Sequence, residues 1–179
     1  MVAGDRRRVA GGREKGGEKV ARTLRGSAGS RYHLAVDANG APLELRLAPG
    51  NENEQRHLLP LVDALAARGI HPCELWADRG YASAALEQAL REREIEPRIS
   101  KPRRAGEPIP AGVATREVVR GKKRRLKTRD RQARYRWPVE RTNAWLKSKR
   151  RVATRRDRKA DNYLAFLQLA MILILTRSF

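Results

Sequence analysis

The chain has 179 residues, a length that fits one compact domain with a real core. Lysine and arginine number 40 against 20 aspartates and glutamates, a formal charge of +20, so the fold must carry solvated basic faces or meet a polyanion, and nucleic acid is the leading class of partner. A single cysteine, Cys73, excludes a disulfide framework, and His33, His57 and His71 lack zinc-ligand spacing; the composition suits a reducing cytosol. The start, Met-Val-Ala-Gly-Asp-Arg-Arg-Arg, has arginines where a signal peptide needs an apolar run, and the most apolar stretch, Tyr163 to Leu175, is short of the ~20 residues of a membrane span.

Residues 1–31 are rich in Gly, Arg and Lys with few large apolar side chains, and are expected to form a loosely ordered basic arm. From Tyr32 the pattern changes. Tyr-His-Leu-Ala-Val-Asp and Pro-Leu-Glu-Leu-Arg-Leu-Ala, separated by Ala38-Asn39-Gly40-Ala41, predict a β-hairpin with an Asn-Gly turn, in which Asp37 is a turn residue. Leu58, Leu61, Val62, Leu65 and Ala66 recur at helical steps within 54–68, and Gly69 stops the helix. Cys73 to Ala77 predicts a strand, with Cys73 as a small buried hydrophobe, leading into Asp78-Arg79-Gly80-Tyr81. Ser83 is placed to cap a following helix with the stripe Ala85, Leu86, Ala89 and Leu90.

Glu96 to Ser100 predicts another strand, 101–112 a loop, and Lys122 to Lys127 an exposed basic surface. A helix is expected over 131–151, kinked or started near Pro138, and a last helix after a capping Asp161. Trp76, Trp137 and Trp145 are expected to be packing residues because of their large apolar area.

Cutting or joining a phosphodiester with two divalent cations calls for scattered carboxylates, and in an α/β sheet these belong just past the carboxyl ends of strands. Asp78 has that position. The second candidate is Glu140: on a helix, Arg136, Glu140, Asn143 and Lys147 share one face, leaving a carboxylate among cations. The competing reading of that face is an ordinary exposed helix with an Arg136 to Glu140 ion pair.

Two stretches, Ala77-Asp78-Arg79-Gly80-Tyr81 and Val139-Glu140-Arg141-Thr142-Asn143-Ala144-Trp145-Leu146, resemble the second and third acidic motifs of insertion-sequence DDE transposases. The spacing of Arg136, Glu140 and Lys147 resembles the signature around that family's catalytic glutamate, and the likeness runs from the hairpin at Tyr32 to Asn162-Tyr163-Leu164-Ala165-Phe166. The resemblance implies an amino-terminally truncated transposase whose 32–179 form an α/β, RNase H-like catalytic core, a mixed sheet flanked by helices with further helices at the carboxyl end. It implies two Mg²⁺ or Mn²⁺ ions on Asp78, Glu140 and a first aspartate. It also implies double-stranded DNA as partner (the element's terminal inverted repeats and target DNA), a homodimer when active, and a bacterial cytoplasmic, nucleoid-associated location. Lys147 would contact phosphates supported by Arg136, and Arg141 would hold Glu140 or touch the DNA backbone. Lys149, Arg150, Arg151 and the run Lys122, Lys123, Arg124 and Arg125 flank the motif as further DNA contacts.

Two departures stand out. Where the signature has a tyrosine three residues before its arginine, this chain has Ala133, and Tyr135 sits beside Arg136 instead. The first aspartate should end a buried strand before a Lys-Gly-Gly-like stretch. Asp5 is the one aspartate before Lys15-Gly16-Gly17, but with four residues ahead of it and three arginines behind it has the flanks of a poor central strand. Two other readings therefore stand beside an active enzyme: a catalytically inactive, DNA-binding transposase remnant, and a basic RNA-binding protein.

Overall fold

The hairpin organises everything around it. In the computed structural model, which describes 2–8, 17–22, 28–99, 116–119, 122–125 and 131–178, the first strands in chain order are β1 (Val2–Arg8), β2 (Ala21–Arg22), β3 (Ala28–Val36) and β4 (Pro42–Pro49). β3 and β4 are the expected hairpin, paired antiparallel with Tyr32 opposite Leu47 and Leu34 opposite Leu45. Its turn is closed by Asp37, whose Oδ1 accepts from the Asn39 and Ala41 amides at 2.9 and 2.7 Å, while Gly40 takes φ +88°.

The chain continues through a 3-10 turn (Glu54–His57) into α1 (Leu58–Ala66), β5 (Glu74–Ala77), a second 3-10 turn (Arg79–Tyr81), α2 (Ala84–Arg91) and β6 (Glu96–Ile99). Gly69, at φ +74°, follows α1 as the sequence requires. A separate antiparallel ribbon joins β7 (Arg116–Val119) and β8 (Lys122–Arg125). The last elements are α3 (Arg131–Ser148, with Pro138 inside it), α4 (Arg150–Ala153) and α5 (Ala160–Ser178). The segment 101–112, expected as a loop, lies outside the described residues.

The main sheet is mixed. β4, β3 and β1 run antiparallel to their neighbours, and β1, β5 and β6 run parallel. Alternation along β3 splits the core in two. Tyr32, Leu34 and Val36 face Val139, Leu146, Val152, Tyr163, Leu167 and Ile174 of α3, α4 and α5. Ala35 joins the opposite layer, with Leu58, Leu61 and Leu65 of α1, Leu75 of β5 and Leu90 of α2. Helices therefore cover both faces, as the parallel half of the sheet demands. Among the described residues no helix is long and apolar enough to cross a membrane.

Several expectations need correction. Val2–Arg8 and Ala21–Arg22 are strands hydrogen-bonded to β3, so a loose arm does not describe them. Seven consecutive antiparallel pairs, Val2 opposite Ala35 through Arg8 opposite Gly29, place β1 between β3 and β5 despite its arginines. Its place comes from backbone pairing, which local apolar patterning does not report. Ser83 holds the N-cap position of α2 but makes no capping bond, and Cys73 is exposed at the start of β5. Asp161 does not cap α5. The Ala160 amide donates instead to the Glu18 carboxylate, at 2.9 Å across 142 residues.

That cap belongs to a wider closure around Arg155, whose side chain is buried. Its guanidinium donates to the carbonyls of Glu18 (2.8 Å), Asp157 (2.8 Å) and Arg158 (3.2 Å) and to the Ser30 hydroxyl, and lies 5.1 Å from the Tyr163 ring centroid. Burial lowers its pKa, and this ring of acceptors is what holds the charge there.

Candidate active site

β5 ends at Ala77, and Asp78 begins the 3-10 turn that follows, so its carboxylate stands past the carboxyl end of a central strand. The turn is held from beneath. The Tyr81 amide donates to the Asp78 carbonyl at 3.0 Å, and the fully buried Tyr81 hydroxyl meets His33 Nδ1 of β3 at 2.6 Å. Burial drives the His33 pKa down to about 3 and the Tyr81 pKa up. The phenol is therefore the donor and the neutral imidazole the acceptor. His33 stacks on His57 with ring centroids 4.2 Å apart.

Gly80 has its own reason. A Cβ there would overlap the Glu54 carboxylate, which pairs with the buried Arg31 at 2.6 Å. Of the motif Asp78-Arg79-Gly80-Tyr81, two residues thus serve to seat the turn on β3 and on the 3-10 turn at Glu54. His33, Arg31 and Glu54 lie outside the motifs, and nothing local in the sequence singles them out.

The helix α3 brings the second motif to the first. Arg136 Nη1 lies 3.2 Å from Asp78 Oδ1, a contact between residues 58 apart, and the Tyr135 ring stacks on Trp76 of β5 at 3.9 Å between centroids. Arg136 pairs with Asp78, not with Glu140 as the ordinary-helix reading supposed. Glu140 is exposed one turn further along, about 6 Å of helix rise from Arg136.

Beyond Glu140 the helix is tied to the hairpin turn. Arg141 Nη2 donates to the Asn39 carbonyl, and the buried Thr142 hydroxyl contacts the carbonyls of Gly40 and, at 3.0 Å, Pro138. The Arg141 guanidinium also lies 4.4 Å from the Trp137 ring centroid and 4.8 Å from that of Trp145. Trp137 is 55% exposed, so it is a surface ring under a guanidinium and not the packing residue expected.

Asp5 sits in β1, whose Val2 is opposite Ala77 of β5 in parallel register. Three residues past Val2 on one strand and one residue past Ala77 on its neighbour place Asp5 and Asp78 on the same, carboxyl-terminal side of adjacent strands. α3 packs on β1, β3 and β5. The three elements that carry Asp5, Asp78 and Glu140 therefore adjoin. Among the described residues no three His, Cys, Asp or Glu side chains group closely enough to hold a metal ion; the side chain of Asp5 lies outside them.

The basic candidates divide by location. Lys147 is exposed at the end of α3, Lys149 and Arg150 open α4, and Arg151 lies 3.8 Å from Asp157 and over the Phe166 ring. Lys122, Lys123, Arg124 and Arg125 form β8, with side chains outside the described residues, as is Lys127 altogether. Arg141 is engaged with protein on three sides.

Comparison with known proteins gives the same pairing of motifs a context. The family model described as Transposase DDE domain matches residues 5–175. A Burkholderia cepacia protein, provisionally named as the transposase for insertion sequence element IS402, is 40% identical over 159 residues, covering 85% of this chain and 65% of that protein. The transposase for insertion sequence element IS1106 of Neisseria meningitidis serogroup B is 34% identical over 73 residues, 41% of this chain and 24% of its own length. The chain thus spans just under two thirds of the longer match.

Proposed function

We propose, on the premise that the chain belongs to the transposase DDE domain family, that it is the catalytic portion of an insertion-sequence transposase: a polynucleotidyl transferase that cuts and joins double-stranded DNA at element ends. The observation that carries this reading is the Arg136 to Asp78 contact, which draws the Glu140 turn of α3 against the end of β5. The strand order β4-β3-β1-β5-β6, antiparallel on one side of β1 and parallel on the other, supports an RNase H-like core.

In this reading Asp5, Asp78 and Glu140 are the triad that would hold two Mg²⁺ or Mn²⁺ ions, and the donor chemistry fits, since all three offer the oxygens hard cations take. Bound there, such ions stabilise charge on the attacking and leaving oxygens of a phosphodiester. The chain's own residues orient the substrate. Arg136, Lys147, Lys149, Arg150 and Arg151 supply cations on the helix that carries Glu140 and at the start of the one that follows, for the phosphates of terminal inverted repeats and target DNA, and Lys122, Lys123, Arg124 and Arg125 are further candidates by charge. Holding two ends together calls for a homodimer, and DNA as substrate places the protein on the bacterial nucleoid.

The test is Mn²⁺-dependent nicking of a duplex that carries the element's terminal repeat. Asp78→Asn and Glu140→Gln are expected to abolish nicking while keeping duplex affinity within a few-fold, and Asp5→Asn decides the first carboxylate. Nicking by Asp78→Asn at the parent rate overturns the assignment. Duplex binding without nicking by the parent chain would favour a catalytically inactive DNA-binding remnant, and equal competition by structured RNA across a range of salt would favour an RNA-binding protein.

A further inference from the structure

Glu140 is exposed, and among the described residues it is its two following neighbours, not Glu140 itself, that make the contacts holding this part of the helix to the hairpin turn. The turn Asp37–Gly40 offers two consecutive carbonyls, those of Asn39 and Gly40, to Arg141 and Thr142 across 102 residues. It is itself rigidified by Asp37, through bonds to the Asn39 and Ala41 amides and a Gly40 amide to Asp37 carbonyl bond of 3.1 Å. The approach leaves no room for a side chain. A Cβ at Gly40 would lie 2.7 Å from Arg141 Nη2, 3.1 Å from Thr142 Oγ1 and 3.2 Å from the Pro138 carbonyl oxygen. The Arg141 guanidinium, flanked by the Trp137 and Trp145 rings one turn before and after it, is a fixed strut.

We infer that the Asp37–Gly40 turn is a positioning clamp for the Glu140 carboxylate, with Thr142 and Arg141 as the positioning residues. Each residue of an α-helix advances the side-chain direction by about 100°, so a small roll of α3 about its axis swings Glu140 along the surface. Thr142 with Arg141 restrains α3 beside Glu140 through contacts to Gly40 and Asn39 that a cation on Asp78 leaves in place. Because the turn joins β3, and β3 pairs with β1, the clamp sets Glu140 relative to the strand that carries Asp5. Arg141 therefore acts within the protein and not on a phosphate. This inference rests on the reading of Glu140 as a metal-binding carboxylate.

The experiment is Mn²⁺ binding to the purified chain, followed by the electron paramagnetic resonance of free Mn²⁺ well below the melting temperature. Thr142→Val is expected to weaken binding about tenfold, the lower range for supports of a metal ligand, and Thr142→Ser to restore it to within about twofold. In a Glu140→Gln background Thr142→Val should cause no further loss, a result that general loosening of the fold would not produce. If Thr142→Val fails to fold, Asp37→Ala, which loosens the turn without touching α3, takes its place with the same expected loss and the same dependence on Glu140. Parent-like affinity in the clamp variants alongside weakened binding in Glu140→Gln overturns the clamp alone. Unchanged binding in Glu140→Gln overturns the carboxylate reading and the clamp with it.

Discussion

Replacing Arg136 by glutamine separates two effects that the Arg136 to Asp78 contact combines. The guanidinium lies 3.2 Å from Asp78 Oδ1, and the two side chains are 35% and 47% exposed, so the pair belongs with solvent-screened ion pairs. Such pairs contribute about 0.2–1 kcal/mol. Any cation that binds Asp78 must displace the arginine and forfeit that amount. Arg136→Gln should therefore raise the Mn²⁺ affinity of the chain by roughly 1.4- to 5-fold, following 1.36 kcal/mol per factor of ten. The same substitution removes one cation from the surface around Glu140. In metal-free buffer, duplex affinity should fall and the slope of log affinity against log salt should become shallower by about 0.9, the value for one phosphate contact. Mn²⁺ titration and fluorescence anisotropy with a labelled duplex at four salt concentrations measure both. A loss of Mn²⁺ affinity as large as that of Asp78→Asn would refute the reasoning, because it would mean that Arg136 supports cation binding at Asp78 and does not compete with it.

Two further outcomes follow from buried groups. Arg155→Met leaves the carbonyls of Glu18, Asp157 and Arg158 and the Ser30 hydroxyl short of their donor, at a cost on the order of 3 kcal/mol, and should lower the melting temperature by about 6–12 °C; a change under 2 °C in differential scanning calorimetry would show that these acceptors find other partners. His33 has a folded pKa of about 3 against 6.5 unfolded, so between those values the unfolded chain holds the extra proton and stability falls as pH falls, by up to about 1.4 kcal/mol per pH unit. His57, lowered by burial as well, acts in the same sense. Urea midpoints between pH 7 and pH 4.5 should drop less steeply in His33→Asn, which keeps an acceptor for Tyr81 but does not titrate, and equal slopes in parent and variant would contradict this.

What could be read from the sequence was local or carried by a motif. The Asn39-Gly40 turn, the stop at Gly69 and the position of Asp78 after a short strand each depend on a few adjacent residues, and the structure has all three. Membership of the transposase DDE domain family followed from the two acidic motifs, and the matched region supports it. What could not be read was long-range. β1 is a central strand because seven backbone pairs hold it against β3, although its composition argues otherwise. The donor to the Glu18 carboxylate is 142 residues away, so the adjacent Asp161 looked like the cap of α5. Trp137 was expected to pack by its size, yet it lies at the surface beneath Arg141. Tyr81 and Thr142 were visible inside motifs, but their roles as anchors required knowing that His33 and Gly40 lie beneath them.

The closure around Arg155 has a consequence for the order in which the molecule can be made. β1 is made well before its parallel neighbour β5, and Glu18 waits for Ala160, 142 residues later, before its carboxylate finds the amide it accepts from. The β3–β4 hairpin, the β7–β8 ribbon and the β5–α2–β6 unit can form from contiguous chain, but the joining of β1 to β5 and the closure at Glu18 must come late, with an entropic cost of closure before the contacts that repay it. A growing chain should therefore remain open to chaperones and proteases until α5 has emerged, and refolding from denaturant should be slow compared with a helical bundle of the same length.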